Sequence, residues 1–162
     1  MELDAAVGLV GHLLRDHYDE LATNKTMREL APDWDKYVAA QTAGILDVVV
    51  VFVDNLPVGY AANIRQPHIH YKHLTVSNND VLYLSPHHRG EGVGGQLMDA
   101  MEELALARGA REVLWHAKPG TTLDSLLKAR EAPIQDIIYS RALRSVDGVL
   151  SPRHTGGGSG EL

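Results

Sequence analysis

The sequence predicts a single mixed α/β domain, and three observations lead to that prediction. The chain has 162 residues, close to the roughly 150 residues of one typical domain. Its N-terminal part carries apolar residues at helical spacing, and a β-branched run follows. An apolar strand, a glycine-rich loop and a long helix then succeed one another, which is typical of sheets that contain parallel strands.

The first two elements are predicted to be helices. The apolar positions of residues 3–22 recur at three- and four-residue steps and share one face; they are Leu3, Val7, Val10, Leu14, Tyr18 and Leu21. Asp33 suits the N-cap of a second helix over 34–43, which Gly44 ends. We expect Tyr18 and the aromatic residues of the second helix, Trp34 and Tyr37, to pack in the core rather than at an interface.

The spacing then changes to that of β-structure. Ile45–Val53 is an almost continuous β-branched run, as in a strand buried on both faces. Asp54–Pro57 has turn chemistry, so this run and Val58–Arg65 are predicted to form a hairpin. A polar, histidine-rich connection is expected over 66–79.

The rest of the chain is predicted to alternate between strands and helices. Val81–Leu84 is a short buried strand, which Pro86 ends because proline cannot donate to a ladder. A long helix follows the glycine loop and ends at Gly109. The later predicted elements are a strand over Arg111–Ala117, a helix over Thr121–Arg130 and a last strand over Ile134–Leu143.

These elements make up one domain over 1–150. It has a helical part over 1–44 and a core over 45–143. Residues 151–162 end in a run of glycine and serine, which predicts a flexible tail.

Composition excludes several classes of function. The chain has no cysteine, so disulfide frameworks, cysteine-ligated metal sites and cysteine nucleophiles are excluded, and a reducing, cytoplasmic location is expected. The formal charge of −6 argues against bulk nucleic-acid binding. The N-terminus lacks the basic flank of a signal peptide, and the longest apolar run, Val48–Val53, is too short to span a membrane.

The richest signal is the glycine loop between the predicted strand and the long helix. Gly90, Gly92, Gly94 and Gly95 fall within six positions. Without side chains, their backbone N–H groups can approach a ligand closely, and the helix N-terminus adds partial positive charge. The loop therefore favours a phosphate or pyrophosphate site, and the alternative is that the glycines only form a tight turn.

The same glycines match the dinucleotide pattern G-x-G-x-x-G, but their context is unlike that of a Rossmann fold. About 80 residues of helix and hairpin precede the loop, and Glu112 lies at the start of the next strand rather than at its end. A P-loop is excluded because no Lys-Ser/Thr follows, and the kinase sequences H-R-D and D-F-G are absent.

The stretch Leu82-x-Leu84-x-Pro86-x-x-Arg89-Gly90-x-Gly92-x-Gly94 resembles the acyl-CoA-binding motif of the GNAT family of N-acetyltransferases. That motif is R/Q-x-x-G-x-G/A after a strand that ends in hydrophobic-x-Pro. The resemblance covers about residues 45–143. Within the family, the chain is similar to compact members from bacteria or phages. It implies an acyl-CoA N-acyltransferase-like fold with a splayed sheet.

The resemblance also implies a cofactor site for acetyl-CoA as co-substrate. The pantetheine arm would lie against the strand backbone and the pyrophosphate on the N–H groups of the loop. The cofactor-binding residues implied are Leu82, Leu84, Arg89, Gly90, Gly92, Val93, Gly94 and Gly95.

The sequence departs from the family where the catalytic acid is usual. Family members often carry Leu-Tyr-x-x-x-Gly-aromatic at the end of the short helix, and that tyrosine commonly protonates the departing thiolate. Here Leu127 stands at the tyrosine position, with Glu131-Ala132 in place of Gly-aromatic. Tyr139, on the predicted last strand, is the nearest residue that could replace this acid; the alternative is that it is only a half-buried residue of the sheet. Asp80 matches the acidic residue that serves as the base in the family; the alternative is that it is only a turn residue in Asn-Asn-Asp.

The histidines between the hairpin and the motif strand leave three alternatives open. His68, His70 and His73 could bind zinc, although their spacing fits no familiar site. His70 or His73 could instead orient or deprotonate the acceptor. Solvent-exposed loop residues are the favoured interpretation, so no metal site is predicted.

Two hypotheses of different classes follow for function. The first is an enzyme that transfers an acetyl group from acetyl-CoA to a primary amine directly, because no cysteine can form an acyl-enzyme. The second is a non-catalytic CoA-binding module of the same fold, with NAD binding as a third possibility. The acceptor, a small molecule or a peptide amine, cannot be read from the sequence, and a homodimer is expected from the family.

Overall fold

The computed structural model describes residues 2–22, 25, 29–141 and 143. Its helices are α1 (Leu3–Leu21), α2 (Trp34–Thr42), a single 3₁₀ turn (Pro86–His88), α3 (Val93–Ala107) and α4 (Thr122–Ala129). Its strands are β1 (Leu46–Val53), β2 (Leu56–Pro67), β3 (Thr75–Leu84) and β4 (Glu112–Leu114). In this described part, no helix has the length and apolar character needed to cross a membrane. The predicted tail over 151–162 lies outside it.

The four strands form one mixed sheet in the order β1-β2-β3-β4. β1, β2 and β3 pair antiparallel in sequence, and β4 pairs parallel to β3. Asp54 and Asn55 join β1 to β2 with positive φ angles of 50° and 62°, the two-residue geometry that matches the twist of a hairpin. The predicted hairpin, α1 and α2 are confirmed, and the Asp33 side chain caps α2 by accepting from the Lys36 N–H.

β3 begins much earlier than the sequence predicts. The expected connection over 66–79 is wrong, because residues 75–79 pair with β2 and only 68–74 connect the strands. The polar composition of this stretch predicts a loop. In the structure Ser77 and Asn79 are buried with Asn63 of β2, and their side chains hydrogen-bond one another instead of water.

The predicted last strand is also wrong. Residues 134–141 and 143 have no regular secondary structure, and Ile134 and Ile138 are 76% and 78% exposed. β-branched composition alone favours a strand, but a strand also needs a partner. β4 spans only three residues, and in the described part of the chain no strand pairs with its outer edge, so the predicted last strand has no partner there.

The sheet is covered on both faces. α1 and α2 pack on one face, where Leu3, Val10 and Tyr60 belong to the buried core. α3 packs on the other face through Leu97 and Met101. Alternate residues of β2 point to opposite faces, so one strand supplies side chains to both cores.

A buried carboxylate fixes the far end of α3 against the sheet. The Asp47 side chain is fully buried and accepts from Arg65 Nε at 2.7 Å and from Arg108 Nη1 at 2.8 Å. Arg108 follows the last turn of α3, and its Nη1 also donates to the Leu46 carbonyl at 3.1 Å. Two cations compensate one buried charge, which removes the large cost of burying it alone.

Candidate functional site

The sheet opens between β3 and β4. The two strands pair only at Val76–Asn78 with Glu112–Leu114, after which β3 continues to Leu84 paired with β2 but not with β4. A cavity of about 650 Å³, here called the splay cavity, occupies the gap. It is bounded by residues 79–84, the glycine loop, residues 116–118, the start of α4 and the end of α1.

The glycine loop forms one end of the splay cavity. Gly90 and Gly92 have φ angles of +91° and +82°, which favour glycine, and Gly92 is the N-cap of α3. No side chain caps this helix, so the N–H groups of its first turn lack intrahelical partners. Val93, Gly94 and Gly95 form this turn. The predicted anion site therefore combines N–H groups that no side chain caps with the positive end of a helix dipole.

The edge of β3 forms the wall of the same cavity. Leu82 and Leu84 both line it, as the resemblance implies for residues that contact the pantetheine arm. The Leu84 carbonyl already accepts from Arg89 Nε at 2.8 Å, and the Val58 carbonyl accepts from the Ser85 N–H. Pairing of β3 with β4 ends at Asn78, so the edge of β3 that faces the cavity from Asn79 to Tyr83 is not covered by β4.

The Arg89 side chain is bound to α1 rather than left free for a phosphate. Its two terminal nitrogens each donate to a Glu20 carboxylate oxygen at 2.7 Å, the bidentate geometry of strong arginine pairs. The hydrogen bond from Arg89 lowers the pKa of the Glu20 carboxyl. The guanidinium also lies 5.7 Å from the centre of the Tyr83 ring. Arg89 lines the cavity but anchors the loop to α1 and β3.

Asp80 occupies a bulge in β3. Ala62 pairs with Val81 and Asn63 pairs with Asn79, so Asp80 is an extra residue without a cross-strand partner. The Asn79 amide donates across the bulge to the Val81 carbonyl and to Asn63 Oδ1, both at 3.0 Å. Bulges often aim one side chain towards an active site. The bulge places Asp80 in the lining of the splay cavity.

The Tyr37 hydroxyl of α2 donates to the Asp80 carboxylate. Burial, followed by the hydrogen bond to Asp80, raises the pKa of the Tyr37 phenol, so it stays protonated as a donor. The hydrogen bond from α2 therefore orients the Asp80 carboxylate beside the gap between β3 and β4, and Asp80 is exposed to solvent.

A histidine on α1 faces the same region and was not among the predicted site residues. His17 Nδ1 lies 2.7 Å from the Tyr60 hydroxyl, and its ring stacks on Tyr83 with centroids 5.0 Å apart. Burial lowers the pKa of His17, which favours the neutral imidazole. Its spacing was a usable signal, because His17 follows Leu14 by three residues and precedes Leu21 by four, on the apolar face of α1.

A second cavity, here called the helix cavity, lies between α1, α2 and the sheet and has a volume of about 590 Å³. The two cavities share His17, Leu21, Asp80, Val81 and Lys118 in their linings. They therefore meet beside the bulge.

The aromatic residues expected in the core all line this cavity, and Tyr37 also packs against the buried core residues. Trp34 is 38% exposed, and Tyr18 and Tyr37 are half-buried.

Three predicted catalytic residues lie elsewhere. His70 and His73 are exposed in the connection between β2 and β3, and neither lines the splay cavity or the helix cavity. Tyr139 is 89% exposed and is not on a strand. Leu127 is half-buried near the end of α4 and brings no phenol to the site. Within the described residues, no group of three His, Cys, Asp or Glu side chains could hold a metal ion.

Solved acetyltransferases share this arrangement of helices and strands. A ribosomal-protein-alanine N-acetyltransferase from Brucella melitensis aligns with a TM-score of 0.61 at 18% identity, over 87% of this chain and 94% of its own. An aminoglycoside acetyltransferase from an uncultured soil metagenomic sample, in complex with sisomicin, gives 0.63 at 16%, over 88% and 91%. AAC(6')-Iy, in complex with a bisubstrate analogue, CoA-S-monomethyl-acetylneamine, gives 0.58 at 20%, over 80% and 91%.

These identities are low and establish the fold alone. No curated protein sequence matches the chain. The model of the acetyltransferase (GNAT) family, however, matches residues 11–126, which is more than half of the chain. The matched span includes the sheet, its opening between β3 and β4, and the glycine loop. The chain therefore belongs to the GNAT acetyltransferase family.

Proposed function

We propose that this protein transfers an acetyl group from acetyl-CoA directly to a primary amine. The observation that carries the proposal is the meeting of two cavities beside the Asp80 bulge. The splay cavity suits an extended cofactor with a phosphate end, and the helix cavity offers a separate space for a second substrate. The similar AAC(6')-Iy structure, solved with a bisubstrate analogue of CoA, supports two adjoining sites.

In this proposal the pyrophosphate of acetyl-CoA binds the N–H groups of the glycine loop and of the first turn of α3. The pantetheine arm extends along the open edge of β3 beside Leu82 and Leu84. Arg89 contributes through the loop that it anchors, because its guanidinium is paired with Glu20. Two sources of binding act together: backbone donors for the phosphates and a strand edge for the arm.

Asp80 is the proposed general base. A primary amine is protonated near neutral pH and must lose a proton before its nitrogen can attack. The carboxylate of Asp80 takes that proton, directly or through a water molecule, while the Tyr37 hydroxyl orients it. The neutral amine nitrogen then bonds to the thioester carbonyl carbon, the carbon–sulfur bond breaks, and CoA leaves as the thiolate. The second proton, which the nitrogen still carries after attack, passes to that thiolate or to solvent, so the products are the neutral amide and CoA. Strand N–H groups stabilise the charge that develops on the carbonyl oxygen.

The departing thiolate does not depend on a tyrosine of α4 in this chain, since that position is Leu127. A free thiol has a pKa of about 8.5, so its thiolate is a tolerable leaving group at neutral pH. Loss of a general acid typically lowers the reaction rate by a factor of about 10² to 10⁴, so the proposed enzyme should be slow rather than inactive. The leucine at this position also favours a second candidate function, a CoA-binding module that no longer catalyses transfer.

Release of free thiol from acetyl-CoA, measured with a panel of amines, separates the two functions. Stabilisation by CoA is expected for both, whereas amine-dependent thiol release is expected only for the enzyme. Stabilisation by NAD without stabilisation by CoA would contradict both. CoA binding with no thiol release for any class of amine would favour the binding module.

We also propose that the protein is a cytoplasmic homodimer. The absence of cysteine supports a reducing compartment. Exposed apolar side chains after α4, among them Ile134, Ile137 and Ile138, support an interface, because contiguous exposed apolar residues often mark one. Sedimentation at high protein concentration tests the dimer, and a monomer there would contradict it.

A further inference from the structure

The helix cavity has an apolar floor and apolar walls. Val10 and Ala62 are buried on its floor, at 5% and 7% exposure, beside Tyr60. Aliphatic and aromatic side chains also supply most of its remaining described lining, among them Val7, Leu14, Tyr18, Trp34 and Tyr37. A volume of about 590 Å³ lies within the range of small-molecule sites, roughly 300–1,000 Å³. Such a lining suits an occupant with an apolar body.

Charge in the helix cavity is sparse and lies at its ends. Among the described residues, two carboxylates line it, Asp80 at the junction with the splay cavity and Glu29 near the start of α2. Among the same residues, one ammonium lines it, that of Lys118, which donates to the Leu21 carbonyl. His17 adds no positive charge to the cavity, because burial lowers its pKa and favours the neutral imidazole. Of these carboxylates only Asp80 lies at the junction, where Lys118 also lines both cavities. A cation with three or more charges, such as spermidine, would therefore leave at least one ammonium against apolar walls or beside Lys118.

The aromatic residues add a preference for shape. Trp34 and Tyr37 lie on α2 with ring centroids 5.7 Å apart and an interplanar angle of 41°. Tyr18 faces the same cavity from α1. Offset and tilted aromatic contacts with a further ring are favourable beyond the area they bury.

We propose that the acceptor is a primary amine carried on an aromatic or similarly apolar body. This inference rests on the acetyl transfer proposed above. The ammonium lies at Asp80, where its nitrogen can reach the thioester, and the apolar body lies between α1 and α2. The occupant therefore differs in chemistry from the aminoglycosides named for two of the similar structures.

Calorimetry in the absence of acetyl-CoA tests the site independently of catalysis. The probes are 2-phenylethylamine, with one charge and a ring, and spermidine, with several charges and no ring. 2-Phenylethylamine should bind at least tenfold more tightly, with the negative heat-capacity change that apolar burial produces. Equal binding of both probes, or tighter binding of spermidine, would overturn the inference.

A pair of variants on α2 locates the site. Trp34→Ala should weaken 2-phenylethylamine binding about five- to tenfold, the effect of losing one aromatic contact. Val38→Ala is the matched control, since Val38 is 46% exposed on the same helix and lines neither cavity. Equal affinities in Trp34→Ala and the parent protein would place the amine elsewhere and contradict the proposal.

Thiol release then separates failure of this inference from failure of the proposed function. Release with spermidine or an aminoglycoside but not with 2-phenylethylamine would overturn the apolar acceptor and leave acetyl transfer standing. No release with any amine, together with tight binding of 2-phenylethylamine, would reject acetyl transfer and support the apolar amine site.

Discussion

Gly94→Asp tests the cofactor site while leaving the fold intact. Gly94 lies in the first turn of α3, and a Cβ there would lie 3.6 Å from the nearest carbons of Leu84 and Leu126, ordinary van der Waals contact. An acidic residue in the first turn also interacts favourably with the helix dipole. Gly90 and Gly92 are poorer positions, because their positive φ angles would strain any other residue.

The expected loss follows from the charge that the substitution adds. An aspartate carboxylate at roughly 5 Å from one phosphate charge, at an effective dielectric constant near 20, is repelled by about 3 kcal/mol. That energy weakens binding by a factor of about 150. Acetyl-CoA at a hundredfold excess over its Kd should raise the free energy of unfolding of the parent protein by about 2.7 kcal/mol. At the same concentration the variant should gain only about 0.3 kcal/mol.

Thermal unfolding with and without acetyl-CoA measures this difference. The parent Tm should rise by roughly 5–10 °C and the variant Tm by about 1 °C. Gly94→Ala is the matched control, since it adds volume without charge and should keep the parent shift. If Gly94→Asp unfolds normally without ligand and still shows the full shift with acetyl-CoA, the pyrophosphate does not bind at α3.

Three further predictions concern catalysis and pH. Asp80→Asn should lower kcat about a hundredfold or more; an unchanged kcat would exclude Asp80 as the base. Tyr139→Phe should leave turnover within about twofold, because the ring is 89% exposed and lines neither cavity; a loss of about tenfold or more would support Tyr139 as the acid. Burial lowers the pKa of His17. As the pH drops below about 6.5, the unfolded chain therefore protonates at this imidazole before the folded chain does, and the free energy of unfolding should fall. His17→Gln should reduce this loss in pH-dependent urea unfolding, whereas His12→Gln, at an exposed position of the same helix, should not.

The short helix α4 shows how a local departure from the family pattern fits the structure. Glu131 stands where the motif carries glycine, and its φ is +54°. The Ala132 N–H returns to the Leu127 carbonyl at 3.0 Å, as in a helix that ends through a left-handed residue. The backbone geometry that glycine favours is therefore present without glycine, and the sequence alone indicated only the mismatch.

Local chemistry determined much of the fold and the glycine-loop half of the candidate site. Helical spacing in α1, the Asp33 cap, the β1–β2 turn and the glycine loop each depend on neighbours within a few residues, so the sequence predicts them directly. The GNAT motif is equally local, since it combines a strand end, a proline and glycines at fixed spacing.

The tertiary structure alone decided the second half of the site. β3 is long because its polar residues pair with polar residues of β2, a contact between segments about 14 residues apart. The bulge at Asp80 depends on the register of the same two strands. Arg89 meets Glu20, and His17 meets Tyr60, across 69 and 43 residues of sequence. The segment after α4 lacks a strand because strand formation needs a partner edge, and pairing between distant segments is not encoded in the local sequence of either one.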